Sequence, residues 1–150
     1  MNKRILLTTA VLCMGALFLA AGIYAGTTVA DTFKLEDPGY KKHTKAAVEF
    51  THKKHATDYG AACGDCHHDE TGKALDLKEG DNVQKCGECH KEYGKLSKAD
   101  KKMKKAEKIK KYHKEALHAN CINCHKDANK KAGNKNAPTK CKECHPKKKK

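Results

Sequence analysis

Apolar positions along this chain fall into two regimes. Ile5 to about Ala21 is an uninterrupted apolar run behind Lys3 and Arg4, and small residues lead from it to Thr28-Val29-Ala30. A positive start, an apolar stretch and a small-residue site predict a signal peptide over residues 1–30, cleaved before Asp31, with Ala25 as the second choice. The competing reading is an uncleaved anchor, because the run approaches the ~20 residues that span a bilayer. Cys13 lies inside the run, and Leu12 before it fits a lipoprotein signal poorly, so it is discarded with the leader. Both readings carry residues 31–150 across a membrane as one domain. With cleavage, no segment remains that would insert stably in a bilayer.

Beyond the leader the pattern predicts short elements. Asp31 to Lys45 is polar and reads as an extended arm. Val48-Glu49-Phe50-Thr51 alternates apolar and polar, the period of a short strand. Ser97 to about His118 is the one clear helix. It opens on a capping pattern, Ser97-Lys98-Ala99-Asp100, and places Met103, Ala106, His113 and Leu117 near one stripe. Its other faces carry Lys101, Lys102, Lys104, Lys105, Lys108, Lys110 and Lys111, which read as a solvated surface. Asn129 to Thr139 is a loop rich in Lys, Asn and Gly, and the chain ends in four lysines.

Composition sharpens this picture. From Asp31 onward, Leu, Ile, Val and Phe number 11 in 120 residues: Phe33, Leu35, Val48, Phe50, Leu75, Leu77, Val83, Leu96, Ile109, Leu117 and Ile122. That is about 9 %, against the ~20 % below which a highly charged chain is expected to stay unfolded. The same stretch holds 30 Lys and Arg against 18 Asp and Glu, a net charge of +12, and the chain contains no Trp. Such a polypeptide is either disordered or takes its apolar interior from something other than side chains. The basic charge alone would suit nucleic acid, but an exported chain argues against that partner.

The cysteines decide between these options. All eight outside the leader occur in one repeated pattern: Cys63-Gly-Asp-Cys66-His67, Cys86-Gly-Glu-Cys89-His90, Cys121-Ile-Asn-Cys124-His125 and Cys141-Lys-Glu-Cys144-His145. Cys-x-x-Cys-His is the attachment motif of c-type haem. Two thiols three residues apart can form thioethers with the two vinyl groups of one porphyrin, and the adjacent His reaches the iron. With His at 10 of 150 residues, finding it after all four pairs by chance has odds of about 2 × 10⁻⁵. Zinc sites do not call for a His after every second Cys. Disulfides would leave the four histidines without a role. A thioredoxin-like site needs one motif in a βαβ context. Four covalently attached haems also resolve the composition, since they bring large apolar surfaces.

The opposite side of each iron needs a ligand too. Met103 is the only Met past the leader, so His/Met ligation cannot serve four haems. Six histidines lie outside the motifs: His43, His52, His55, His68, His113 and His118. They suffice for bis-histidine ligation at every iron, with two to spare.

On these residues the sequence resembles the class III cytochromes c, the tetrahaem cytochrome c3 family of anaerobic, often sulfate-reducing bacteria. The resemblance covers about residues 46 to 146. It rests on Val48-Glu-Phe50-Thr-His52-Lys-Lys-His55, on the doubled Cys66-His67-His68 and on the order of the motifs. It implies a mostly α fold with little regular secondary structure, wrapped around four covalently bound haems, with room for a short N-terminal β-strand pair. The family pattern pairs His67 with His52 at haem I and His90 with His68 at haem II. It pairs His125 with His55 at haem III and His145 with His118 at haem IV. Many members have a four-residue gap in the second and fourth motifs, whereas every gap here is two residues. His118 also stands closer to Cys121 than in some members, so His113 is its rival at haem IV. His43 lies outside the pattern and reads as exposed.

Adjacent ligands His67 and His68 would hold irons I and II within roughly 17 Å of each other. Bis-His ligation lacks the potential-raising Met, so low, negative midpoint potentials are expected. This ligand set points to an electron carrier and to no enzyme activity; the leader places it in the periplasm, and the resemblance implies anaerobic respiration of the sulfate-reducer type. The alternative is a multihaem reductase acting on a small anion or metal ion, which needs a five-coordinate iron. Lys130, Lys131, Lys135, Lys140, Lys142 and Lys147 to Lys150 gather around the fourth motif and suit an acidic redox protein. The resemblance implies a periplasmic hydrogenase as that partner, then formate dehydrogenase or a membrane-bound cytochrome complex, with the carrier itself a monomer. One outcome follows from composition alone: the haem-free chain should melt without a cooperative thermal transition by circular dichroism, and a sigmoidal unfolding curve would contradict it.

Overall fold

The computed structural model describes residues 29–147. The signal-peptide reading falls almost wholly on residues 1–28, outside the described residues, as do the last three lysines. The chain divides into two units. One is made of residues 30–78 and 83–150; the other is made of residues 1–29 and 79–82, and of it only Val29 and the turn at Glu79–Asn82 are described. Everything that follows concerns the first unit.

Helices and irregular segments dominate, with one two-stranded antiparallel ribbon near the N-terminus. Strand β1 (Phe33–Lys34) pairs with β2 (Glu49–Phe50), setting Phe33 opposite Phe50 and Lys34 opposite Glu49. Leu35 extends the pairing by donating its N–H to the Val48 carbonyl at 2.9 Å. A ribbon this short is marginal alone. Here the two Phe rings meet edge-on at 5.7 Å, and Phe50 lies 4.6 Å from the His55 ring. The ribbon thus delivers two of the few apolar side chains to the histidines of helix α1 (His52–Thr57). Expectations of a strand near Val48 and of a largely helical, irregular fold are both met.

The helix expected from Ser97 to His118 is instead three elements. Ser97 does cap, accepting the Asp100 N–H at 3.0 Å, but the result is one 3-10 turn, Asp100–Lys102, ending at an extended Met103 (ψ 154). Helix α3 (Lys105–Lys111) then starts afresh, with the Lys104 N–H donating to Glu107 Oε2 at 2.9 Å. A one-turn helix, α2 (Cys86–Cys89), precedes both. The second break falls at Tyr112, whose backbone is extended (φ −102, ψ 122). It pairs in parallel with Glu92: the Glu92 N–H donates to the Lys111 carbonyl at 3.1 Å and the His113 N–H to the Glu92 carbonyl at 3.0 Å. That tertiary pairing overrides helix propensity.

Helix α4 (His113–Ala132) runs for 20 residues, about 30 Å, and carries the third motif in its interior. It continues four residues, Asn129 to Ala132, into the segment expected to be a loop. It stops at Gly133, which takes the left-handed conformation (φ 62, ψ 25). Gly133 donates to the Lys130 carbonyl at 3.4 Å and Asn134 to that of Asn129 at 3.0 Å, the Schellman arrangement that only Gly adopts without strain. Asn129 then fastens the loop to the helix, exchanging two bonds of 2.9 Å with the Ala137 backbone. A final single turn, α5 (Cys141–Cys144), carries the fourth motif.

Side chains alone make almost no core. Among the described residues the one buried apolar side chain is Tyr112, 4 % exposed, and the two buried polar ones are His90 and His113. Tyr112 donates its hydroxyl to Asp100 Oδ2 at 2.7 Å, while Lys111 Nζ reaches Asp100 Oδ1 at 2.9 Å and the Ser97 hydroxyl contacts the same carboxylate. The Ser97 hydroxyl, then Lys111 and Tyr112, hold the Asp100 carboxyl far below the usual range. A depressed folded-state value stabilises above the unfolded pKa and loses that contribution as pH falls. Asp100→Asn should therefore lower the melting temperature of the haem-loaded protein at pH 7. The gap from the parent should narrow as pH drops below about 4. Melts followed in the far ultraviolet at a series of pH values test both.

Candidate haem-attachment and imidazole-ligand sites

Each Cys-x-x-Cys-His motif is folded as one helical turn. A single turn brings residues i and i+3 to the same face, so both thiols of a motif present to one side. The His N–H closes the turn onto the first Cys carbonyl, at 2.9 Å from His67 to Cys63, 2.9 Å from His90 to Cys86 and 2.8 Å from His145 to Cys141. Turns so short need help at their N-termini, and the acidic residue before the second Cys provides it. Asp65 Oδ2 accepts the Ala62 N–H at 2.9 Å, and Glu88 Oε1 accepts that of Lys85 at 3.1 Å. Glu143 Oε2 accepts those of Thr139 and Lys140, both at 3.0 Å. These amides hold the Glu143 carboxyl below its ordinary value. The third motif has Asn123 at this position and needs no cap, because it lies inside α4. The recurrent acid was visible in the sequence and went unread there.

The first motif requires Gly64 for a separate reason. Leu75 donates its N–H to the His67 carbonyl at 3.0 Å, and a Cβ on Gly64 would lie 2.7 Å from the Leu75 carbonyl oxygen. A tight turn follows, in which Asp69 Oδ1 accepts the Thr71 and Lys73 N–H groups at 2.8 and 3.0 Å. It brings Ala74 back against His68 as an antiparallel bridge. Extended backbone sends neighbouring side chains to opposite faces, and the two adjacent histidines diverge accordingly. His67 lies beside His52, while the His68 ring centre is 5.8 Å from that of His90.

Two further pairs have the same spacing. The rings of His55 and His125 are 6.2 Å apart, as are those of His118 and His145. A metal held between two imidazole nitrogens at about 2.0–2.1 Å each would put the ring centres about 6.4 Å apart. The separations match that spacing, and they also fall within the roughly 4.5–7 Å of ordinary ring packing. Ring orientation is fixed from behind. His55 Nδ1 faces the Thr51 carbonyl at 2.9 Å, His68 Nδ1 that of Asp69 at 2.7 Å, and His90 Nδ1 that of Lys110 at 3.0 Å. His125 Nδ1 faces Pro138 at 2.6 Å and His145 Nδ1 faces Ala46 at 2.8 Å. A carbonyl can only accept, so Nδ1 carries the hydrogen in all five rings and Nε2 is left with its lone pair. Burial, followed by neighbouring cations and imidazoles, lowers the pKa of His67 and His118 and favours the neutral form that ligation requires.

His113, the rival for the fourth site, is differently engaged. Its Nδ1 is 3.1 Å from the Tyr40 hydroxyl and its Nε2 is 3.5 Å from Asp37 Oδ2, so neither nitrogen is free. His43 is half-buried rather than exposed, with its ring centre 5.3 Å from that of Tyr40. The roles of Asp37, Tyr40 and Tyr93 were not read from the sequence, where nothing in their spacing marks them.

None of the eight motif cysteines is paired in a disulfide. Burial, first of all, pushes the Cys121 thiol up to about 11, with Cys66, Cys144 and Cys86 adding to the rise. One cysteine from each of the other three motifs therefore lies near enough to influence it, so the four motifs converge. The donor set fits haem: two same-face thiols per turn, and eight imidazoles, six of them placed by ring spacing or a carbonyl bond and His52 and His67 by their nearness to each other. Around the fourth motif Lys130, Lys131, Lys135, Lys140, Lys142 and Lys147 are all exposed. No helix among the described residues is long and apolar enough to cross a membrane.

The model of the class III cytochrome c family matches residues 30–145. Cytochrome c3 of Maridesulfovibrio salexigens is 38 % identical over 117 residues, covering 77 % of this chain and 92 % of that protein. Cytochrome c3 of Desulfovibrio desulfuricans is 32 % identical over 115 residues, covering 75 % and 91 %. Cytochrome c3 of Nitratidesulfovibrio vulgaris is 31 % identical over 140 residues, covering 90 % and 93 %. No solved structure matches. The matched residues include all four attachment turns, and this chain belongs to the class III cytochrome c family, as an electron-transfer protein with four covalently bound c-type haems.

Proposed function

We propose that this protein is a periplasmic, low-potential electron carrier in which every haem iron has two histidine ligands. The paired imidazoles carry this reading: three pairs of ring centres 5.8–6.2 Å apart, with His52 and His67 as the fourth. In this scheme His67 and His52, His90 and His68, His125 and His55, and His145 and His118 are the axial pairs. The eight cysteines of the motifs form the thioether links. Residues 1–30 are the export signal and residues 31–150 the mature domain.

Haem supplies a reversible one-electron iron couple; the remaining work belongs to the chain. Backbone carbonyls orient the imidazoles and raise their basicity, which favours the oxidised metal and lowers the potential. Met103 sits at the break before α3 and cannot serve four sites. With two imidazoles per iron there is no open position for a substrate, which favours a carrier over the reductase reading. Carbon monoxide separates the two: the reduced carrier should bind almost none, whereas one equivalent per protein would establish a five-coordinate haem and overturn this reading.

The partner is an acidic redox protein, with periplasmic hydrogenase first, then formate dehydrogenase or a membrane-bound cytochrome complex. Exposed lysines around the fourth motif favour it by steering association, an effect that salt screens as the Debye length falls from ~10 Å at 0.1 M to ~3 Å at 1 M. Reversing Lys140, Lys142 and Lys147 to Glu should slow reduction by hydrogenase at low salt and remove most of its salt dependence. Unchanged stopped-flow rates with four haems retained would rule out docking at this face.

A further inference from the structure

A second buried polar cluster contains none of the attachment-motif residues. His113, 5 % exposed at the first residue of α4, lies between Asp37, Tyr40 and Tyr93. Tyr93 stacks on it with ring centres 5.1 Å apart and 30° between planes, and Tyr40 meets both rings edge-on at 4.9 and 5.6 Å. The Tyr40 hydroxyl is 3.1 Å from Nδ1 and donates to it, while Nε2 faces the Asp37 carboxylate at 3.5 Å, the arrangement that places the ring hydrogen on Nε2. Tyr93 donates its own hydroxyl to Asp37, and burial, then Asp37, pushes its pKa up to about 12. Every polar atom of the cluster therefore has a partner, the condition under which a buried network is rigid.

This cluster presses directly on the second attachment turn. A Cβ on Gly87, between Cys86 and Glu88, would strike the Tyr93 hydroxyl and come within 2.8 Å of Asp37 Oδ2. A Cβ on Gly39 would strike the Tyr93 ring on the other side. From the same cluster a chain of backbone bonds leads to His90. The His113 N–H holds the Glu92 carbonyl, the Glu92 N–H holds the Lys111 carbonyl, and the neighbouring Lys110 carbonyl accepts from His90 Nδ1 at 3.0 Å. His90 is itself only 7 % exposed.

We propose that His113 is a positioning residue for His90, anchoring the Lys110–His113 segment so that the Lys110 carbonyl stays aligned on His90 Nδ1, and that it thereby sets the potential of the haem attached at Cys86 and Cys89. The proposal rests on His90 being an axial ligand. A loosened anchor weakens the Nδ1–H bond, makes the imidazole a poorer electron donor and raises that haem's potential. The other three haems have their own carbonyls and should not move.

His113→Phe keeps a stacked ring but removes the Tyr40 hydrogen bond and the Asp37 contact. In the four-haem protein it should raise one midpoint by a three- to tenfold change in the one-electron equilibrium, about 30–60 mV. Nuclear magnetic resonance of the His90 ring protons should identify the haem that moves. Tyr40→Phe, a milder cut, should shift the same midpoint in the same direction by less, and it decides the matter if His113→Phe fails to mature. Four unchanged midpoints, or a shift at another haem, would overturn the proposal. So would a new high-spin haem in His113→Phe, since His113 would then be a ligand. His90→Ala separates the two levels: four haems still low-spin in that variant would mean that the ligand assignment had failed, not the anchor.

Discussion

Burial of apolar porphyrin surface is the interaction on which this structure depends. With Tyr112 as the one buried apolar side chain among the described residues, side-chain burial at about 25 cal/mol per Å² cannot offset backbone ordering at about 1–2 kcal/mol per residue. The apolar area has to arrive with the cofactor. This explains why the regular elements other than α4 are so short: a single turn is enough to present two thiols and an imidazole. The acidic caps of three turns and the Phe33–Phe50 contact then stabilise locally what the haems hold globally.

Polar contacts are accordingly placed where a ring must be aimed. Five histidines are held through Nδ1 by main-chain carbonyls drawn from different parts of the chain, as far apart as Ala46 and His145. Each such bond fixes a tautomer, an orientation and a long-range chain contact together. Asp100 serves a related end by gathering Ser97, Lys111 and Tyr112 at the point where α3 gives way to α4. The abundant lysines take little part in this framework. Most stand in solvent, where the propionates of the bound haems balance only a fraction of their charge.

The attachment turns were legible in the sequence because their chemistry fixes their spacing. The strand at Glu49–Phe50 was legible because a two-residue period needs few residues to show. The helix boundaries were not. Ser97 carries a valid capping signal, but a cap specifies where a helix can start and not how far it continues, and the run stopped after one turn. Tyr112 gives no local sign of a break, because the break comes from pairing with Glu92, 20 residues earlier. Asn129 to Ala132 has loop-like composition, yet it is the last turn of a helix whose stop signal is Gly133. His113 could not be told from His118 by spacing, since what separates them is the company of Asp37 and Tyr40 from a distant segment.

Helix α4 also governs where this chain can change length. Within it, His118 and the Cys121–Cys124 turn share one continuous hydrogen-bonded ladder. One inserted residue between them would swing the turn by about 100° about the axis and advance it by about 1.5 Å, carrying both thiols off their face. The stretch from His118 to Cys124 therefore behaves as a fixed ruler, which sets the distance between a histidine and an attachment turn and tolerates no change of length.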